Sequence, residues 1–452
     1  MDALMISVSG IRGVVGSTLT PDVVAKFSAA FGTYCRGGTV VIGRDARKSG
    51  PMIRDAVVAG LRSCGCRVID LGVAATPTIQ FSVRQLNASG GIAITASHNP
   101  IEWNALKLID RTGIFLDAEQ GKRILSIYES NDIHYARWNS IGEVVEDPGA
   151  DERHADRILS VIDTSKVSDR RPAVVIDCCN SAPSSILHLV LERIGCEVFT
   201  VNCDMSGAFP RGPEPLAENL DMLSQRVREV GADVGFATDP DGDRISVVTE
   251  KGIPVGEEYS LVLASNFVLE RERGPVVTNV ATTKAVEDVA KKWGCPFYRA
   301  PVGEVNVVKK MIEVGAVIGG EGNGGVINPK VQYARDAPAA MALILEGISR
   351  SERRISQLVE ELPTYHMVKK KIECPPERAK EVLREVESRF EGEEMDLTDG
   401  VRISVDSGWI YVRKSATEPV IRVICESDRK EKAEELAEEA VGLVQRILSV
   451  HR

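Results

Sequence analysis

Leu61-Arg62-Ser63-Cys64-Gly65-Cys66-Arg67-Val68-Ile69 closes a helix on a glycine and opens a strand at once. Pro51 to Ser63 reads as the helix and Cys66 to Ile69 as the strand. Glycine is the expected residue between them, because the left-handed geometry that ends a helix costs it nothing. The same Gly-Cys pair returns at Gly195-Cys196 and Gly294-Cys295. Around each pair the order of segments is also the same. Thr39 to Ile42, Pro172 to Ile176 and Val276 to Thr278 are first strands. Helices at 51–63, 184–194 and 283–293 follow, and Glu197 to Val201 and Pro296 to Arg299 are the other second strands. Helices at 76–85, 220–230 and 302–314 then lead to third strands at 91–94, 233–237 and 316–318. Three copies in register predict a repeated βαβαβ unit with mixed or parallel sheets.

In such sheets, sites gather outside the carboxyl ends of the strands. Each third strand delivers an unusual loop: Thr95-Ala96-Ser97-His98-Asn99-Pro100, Asp239-Pro240-Asp241-Gly242-Asp243-Arg244, and Gly319-Gly320-Glu321-Gly322-Asn323-Gly324-Gly325. The expectation is that all three meet around one cleft. After Pro363 the chain changes character, with Lys369-Lys370-Lys371, an acidic helix from Glu377 to Glu391, strands at 400–405, 409–412 and 420–426, and a last helix at 430–449. The predicted fold class is α/β, three repeated mixed-sheet α/β/α domains followed by a smaller α+β domain. The expected boundaries are 1–150, 151–251, 252–364 and 365–452, with the charged stretch Glu143 to Asp156 as the first joint. Thr20-Pro21-Asp22 predicts a helix start with Thr20 as the capping hydroxyl.

The 452 residues carry a net charge of −10, which argues against nucleic acid or an anionic membrane as the main partner. Apolar residues make up 43% and charged residues 27%, the balance of an ordinary water-soluble protein. No apolar run approaches the roughly 20 residues of a membrane helix, and the N-terminus does not read as a signal peptide. The 10 cysteines show no paired C-x-x-C spacing. Buried reduced thiols and a cytoplasmic location are expected from them.

Asp239, Asp241 and Asp243 alternate across a glycine-containing turn, and carboxylates this close repel unless a cation or protons neutralise them. Hard oxygen ligands favour Mg²⁺ or Mn²⁺ over zinc. An EF-hand is excluded, because Arg244 stands where its sixth-position glycine must be, although Glu250 falls at the twelfth. Gly320-x-Gly322-x-x-Gly325 matches the dinucleotide fingerprint formally, but Val326-Ile327-Asn328-Pro329 follows instead of a helix. Glu321 and Asn323 suit sugar hydroxyls better. Arg413, Ser415, Thr417 and Arg422 combine cations, hydroxyls and loop amides, a mixture that suits a phosphate.

Ser97 is expected on an exposed, stiff loop. A hydrolase triad is disfavoured, since the G-x-S-x-G elbow is missing and His98 would point away from its neighbour in an extended segment. Phosphoryl transfer fits a serine near a divalent cation with arginines at hand. Lys107, ten residues on, is a candidate base or electrostatic partner, and Arg12 lies in the glycine-flanked Ser9-Gly10-Ile11-Arg12-Gly13.

Taken together, Ser97-His98-Asn99-Pro100, Asp239 to Arg244, Gly320-Glu321-Gly322-Asn323-Gly324 and Arg413-x-Ser415-x-Thr417-Glu418-Pro419 resemble the four signature loops of the α-D-phosphohexomutase family. The order and layout match along essentially the whole chain. The resemblance implies that Ser97 carries a phosphoryl group and, with Asp239, Asp241 and Asp243, holds one Mg²⁺. It implies that Arg12, Lys107 and His98 lie at the transferring phosphate with Arg244 beside it, and that Glu321 grips the sugar. It also implies that the last domain clamps the phosphate not being transferred. The reaction would interconvert hexose 6- and 1-phosphates through a bound 1,6-bisphosphate, which would also serve as activator. Glucosamine phosphate is the leading substrate, ahead of mannose and glucose phosphates, and the expected state is a monomer or homodimer. Asn323 and Gly325 replace the serine and histidine that many members carry in the sugar loop, Ala416 a glycine or asparagine, and Ala105 a glycine. The Asn323 form, with Tyr333-Ala334-Arg335-Asp336, looks closest to the glucosamine-phosphate members.

Overall fold

In the computed structural model, which describes residues 4–7, 10–406, 408–415 and 419–449, the three Gly-Cys pairs end their helices identically. Gly65, Gly195 and Gly294 have φ of +82°, +78° and +66°. The cysteine after each donates its N–H to a carbonyl five residues back: Cys66 to Leu61, Cys196 to Leu191, Cys295 to Ala290. The glycine itself donates to the carbonyl three back, at Arg62, Glu192 and Lys291. These are the two bonds of a Schellman closure, which satisfies carbonyls the helix leaves open.

The sheets repeat as well. In each copy the first strand lies between the second and the third, all parallel: Thr39–Arg44 between Arg67–Val73 and Gly90–Ile94, Ala173–Asp177 between Glu197–Val201 and Val234–Thr238, and Val276–Asn279 between Phe297–Ala300 and Ile318–Glu321. In the first two copies an antiparallel strand, Trp103–Asp110 or Ile245–Thr249, runs back along the third. The first sheet grows to seven strands by adding Gly10–Val14 and Met5–Ser7 at one edge and Val144–Glu146 at the other. That last strand sits inside the expected joint at 143–156, so the joint narrows to the few residues before the helix Ala150–Leu159.

The chain divides into two compact units, 1–267 with 323–360, and 268–322 with 361–452. Within the first, Val40, Ile42, Ile92 and Ile94 of the sheet pack with Phe27, Phe31, Ile53 and Leu61 of the covering helices. The helix Ala337–Ser351 also belongs to this unit and packs against the helices Thr164–Arg170 and Pro183–Arg193 of the second repeat. A buried chain of bonds fixes its start: Thr78 Oγ1 to His154 Nδ1 at 3.0 Å, His154 Nε2 to Asp336 Oδ2 at 2.9 Å, and Gln332 Nε2 to the same oxygen at 2.7 Å. In the second unit an antiparallel five-stranded sheet from Val401–Val405, Gly408–Lys414, Val420–Ser427 and two edge strands carries the helices Ala379–Arg389 and Lys430–Ser449.

One local expectation is corrected. Thr20 stands at the N-cap of Pro21–Tyr34 but makes no side-chain cap bond; its hydroxyl instead serves the Asp22 carboxylate. As expected, Gly325–Ile327 is a strand, so the glycines at 320–325 open no helix to receive a pyrophosphate. Among the described residues no helix is long and apolar enough to cross a membrane, and all 10 cysteines are free thiols, eight of them buried.

A methyl group at Gly294 would meet nothing within 4 Å. The cost of G294A is therefore backbone geometry alone. It should destabilise by about 1 kcal/mol, read as a lower urea midpoint at unchanged slope.

Candidate active site

The third strands of the first two repeats end side by side in the first unit. Ser97 Oγ donates to Asp239 Oδ2 at 2.7 Å. Asp239, Asp241 and Asp243 are all but fully buried, and their carboxylate oxygens lie within 4.8 Å of one another. Asp241 Oδ1 and Asp243 Oδ1 are buried with no hydrogen-bond partner among the described residues. Burial first, then repulsion from Asp243 and Asp241, pushes the Asp239 carboxyl well above its usual range. Burial would raise Asp243 too, but Arg335, Lys107 and Arg244 hold it well below.

Cations surround the three acids. Lys107 Nζ is 2.6 Å from Asp241 Oδ2 and 3.3 Å from Asp243 Oδ2. Burial lowers the Lys107 ammonium, yet the two carboxylates outweigh it and raise its pKa. Arg335 Nη2 donates to Asp243 Oδ2 at 2.7 Å. Arg244 reaches Glu214 at 2.6 Å and gives its backbone N–H to Asp239 Oδ1 at 3.2 Å. Thr76 donates its hydroxyl to Asp241 Oδ2 at 2.7 Å and its N–H to the Asp241 carbonyl at 2.8 Å. Arg12, on the strand Gly10–Val14, donates to Asn99 Oδ1 at 2.8 Å, and burial lowers its guanidinium pKa.

The structure corrects two readings of the serine loop. Ser97 is 4% exposed, not exposed as expected. His98 does not point away: its Nδ1 lies 3.3 Å from Ser97 Oγ. The cause is Ser97's φ of +49°, left-handed geometry that a non-glycine residue adopts at a cost of about 1–2 kcal/mol. The bend, closed by Asn99 N–H to Ala96 O at 3.0 Å, turns neighbouring side chains to the same side. Burial, then Arg244, holds the His98 imidazole down at about 2, so it is neutral here.

Arg47 and Asp45, which sequence reasoning passed over, lie beneath this loop. Arg47 donates to four of its carbonyls: Ser97 O and Pro100 O at 2.6 Å, Asn99 O at 2.8 Å and Trp103 O at 3.0 Å. Asp-x-Arg at the end of a strand was the available signal. Glu250, the EF-hand's would-be twelfth ligand, turns away and binds Ser356.

Glu321 belongs to the second unit. It is 4% exposed, and its Oε1 accepts Asn279 Nδ2 at 2.8 Å and Gly303 N–H at 3.0 Å, so its setting is fixed and not flexible as its glycines suggest. Asn323 belongs to the first unit, where its Oδ1 accepts the Gly325 N–H at 3.2 Å. In the last sheet Arg413 and Arg422 pair directly across neighbouring strands, and Lys371 pairs with Arg422 from the other side. Three cations thus stand in one row, Lys371 being one the sequence reading did not single out. Arg413 Nη1 lies 3.4 Å from Asp399, which in turn accepts the Val302 N–H at 3.0 Å. Ser415 is buried beside this row and gives its N–H to Val420 O at 2.9 Å. Thr417 lies outside the described residues.

Thr76→Val leaves the Asp241 carboxylate without its hydroxyl donor. It should cost about 1–2 kcal/mol in a urea titration, with Thr76→Ser restoring most of it.

Comparison with known proteins agrees along the whole chain. Residues 4–134, 152–252 and 256–365 match the phosphoglucomutase/phosphomannomutase alpha/beta/alpha domains I, II and III, and 368–443 match the C-terminal domain. A probable phosphoglucosamine mutase of Methanopyrus kandleri is 40% identical over 97% of both chains. A phosphoglucomutase/phosphomannomutase of Thermococcus kodakarensis is 39% identical over 97% of this chain and 98% of its own. A crystal structure of a phosphoglucomutase/phosphomannomutase family protein from Burkholderia thailandensis superposes with a TM-score of 0.86 at 26% identity, over 98% of this chain and 99% of that one. With four domain matches in order and relatives at this identity over nearly full length, the chain belongs to the phosphoglucomutase/phosphomannomutase family of phosphohexomutases.

Proposed function

We propose that this phosphohexomutase interconverts hexose 6-phosphate and hexose 1-phosphate on Ser97, with glucosamine phosphate as its substrate. The observation that carries the reading is the buried hydrogen bond of Ser97 Oγ to Asp239, within a cluster of three carboxylates and their attendant cations. A serine hydroxyl set there is poised for phosphoryl transfer and screened from water, to which a phosphoryl group would otherwise be lost.

In the forward half, the bond from phosphorus to Ser97 Oγ breaks as a bond to a sugar hydroxyl oxygen forms. The hydroxyl's proton leaves and the serine oxygen regains one. The bound 1,6-bisphosphate then presents its other phosphate, and the reverse exchange returns a phosphoryl group to Ser97. Lys107 is the group assigned to carry the proton, and His98 is assigned a place beside the reacting serine oxygen. Arg12 and Arg244 are assigned to the moving phosphate, Glu321 and Asn323 to the sugar hydroxyls, and Arg413, Ser415, Thr417 and Arg422 to the phosphate that stays. We read the chain as four domains, 1–150, 151–251, 252–364 and 365–452.

The acids fit a hard divalent cation: three carboxylates, with two buried oxygens that accept no hydrogen bond among the described residues, are a donor set that Mg²⁺ accepts. Asp239, Asp241, Asp243 and Ser97 would hold it, and it would supply positive charge against the transferring phosphoryl group. The glucosamine assignment rests on relatives at 36–40% identity named probable phosphoglucosamine mutase, against one at 39% named phosphoglucomutase/phosphomannomutase, and on Asn323 in the sugar loop. Among solved structures of the same fold, an N-acetylphosphoglucosamine mutase of Aspergillus fumigatus holds N-acetylglucosamine 6-phosphate and magnesium, at 14% identity and a TM-score of 0.63.

A coupled assay over glucosamine, glucose, mannose and N-acetylglucosamine phosphates, primed with hexose 1,6-bisphosphate, tests the reading. Turnover should be highest on glucosamine phosphate and fall by at least 10³-fold, roughly, in Ser97→Ala. Equal rates on all four sugars would sink the preference, and an active Ser97→Ala the whole proposal. The metal assignment has its own readout. Mg²⁺ should raise the melting temperature of the EDTA-treated protein, and Asp239→Asn should abolish that rise.

A further inference from the structure

The residue at the end of the first strand, or one past it, plays the same part in all three repeats. Asp45, Asp177 and Asn279 each accept, on Oδ1, the backbone N–H two residues on: Arg47 at 3.0 Å, Cys179 at 3.0 Å and Ala281 at 2.9 Å. Each is 5% exposed or less. In every case the anchored side chain also serves the end of the neighbouring third strand. In the third repeat Asn279 does so directly, donating to Glu321 at 2.8 Å. In the second, Asp177 pairs with Arg211 at 3.0 Å, and Arg211 donates to the Thr238 carbonyl at 2.7 Å, one residue before Asp239.

The first repeat has the fullest version. Asp45 Oδ2 accepts Thr95 Oγ1 at 2.6 Å and Arg47 Nε at 3.0 Å. Thr95 Oγ1 in turn accepts the Ser97 N–H at 2.9 Å. Arg47, fully buried, spends both terminal nitrogens on the four loop carbonyls. Ser97 is therefore tied at its N–H through Thr95 and at its carbonyl through Arg47, on either side of its left-handed φ. No local residue choice explains that φ, since serine has no preference for it. The ties do, because relaxing Ser97 to an extended backbone would break charge-assisted bonds in a buried site.

We propose that Arg47, held by Asp45, is a positioning residue for phosphoryl transfer: it imposes the left-handed turn that aims Ser97 Oγ at Asp239. The proposal rests on Ser97 being the phosphoryl carrier. A lysine at 47 keeps the charge but lacks the planar fork that reaches four carbonyls at once. Arg47→Lys should lower kcat about 100-fold, the cost of a reacting atom misplaced by about 1 Å, with KM within about twofold of the wild type. The rate at which the dephosphorylated protein takes a phosphoryl group from hexose 1,6-bisphosphate, followed by intact mass, should fall by the same factor.

Thr95→Val cuts the N–H tie and leaves the arginine in place. It should lose roughly tenfold in both readouts and keeps the test open if Arg47→Lys does not fold. A role confined to stability would lower the melting temperature and leave kcat per folded molecule and the phosphorylation rate unchanged, and that result in either variant overturns the proposal. An active Ser97→Ala would instead remove the premise on which it rests.

Discussion

Three carboxylates on one buried turn set the terms for the first unit. At separations under 5 Å and an effective dielectric near 20, each pair repels by about 3–4 kcal/mol if both are ionised. Desolvation adds to this, as the raised Asp239 carboxyl shows. The surrounding residues answer with fixed positive charge and donors. Lys107 comes from the strand antiparallel to Gly90–Ile94, Arg335 from the stretch before the helix Ala337–Ser351, Arg244 from the acidic loop, and Thr76 from the start of a helix. Four separate segments converge because no single one could offset the cluster. That convergence is why the helix Ala337–Ser351 packs on the second repeat, with Arg335 delivered to Asp243 and Asp336 locked to His154.

The opposite problem appears in the second unit. Arg413, Arg422 and Lys371 are placed in one row across three antiparallel strands. Like charges directly opposite one another destabilise a sheet pair by a few tenths of a kcal/mol to about 1. Asp399 relieves Arg413 in part. The acidic cluster is met by Lys107, Arg244 and Arg335, and the basic row gathers three cations on neighbouring strands.

The repeats were legible because their signal is local. Gly65-Cys66, Gly195-Cys196 and Gly294-Cys295 mark helix ends by a backbone requirement of one residue, and the structure closes all three with the same two bonds. The acidic loop was legible for a similar reason, since alternating aspartates around a glycine are unusual whatever surrounds them. Ser97 and His98 were misread on geometry, because the φ of +49° at Ser97 is imposed from a segment 50 residues away. A rule for extended chains placed His98 on the far side, whereas a turn brings it to 3.3 Å. Thr20 failed on a finer scale: its hydroxyl had two possible acceptor and donor partners, and the Asp22 side chain won over the backbone.

The shared device at Asp45, Asp177 and Asn279 suggests why a repeated unit suits this chemistry. The bond to the N–H two residues on needs only a short side chain with an acceptor oxygen at the strand end, so it can be copied with the unit. The other side-chain atom is then free to differ. An Asp at 45 and at 177 recruits an arginine that grips backbone, fixing the path of the loops that carry Ser97 and Asp239. An Asn at 279 offers an N–H instead and holds a side chain, Glu321, directly. One atom changed at one position thus decides whether the repeat steers a main chain or a carboxylate. The first strand supplies the rigidity in every case, since it is paired along both its edges within the sheet.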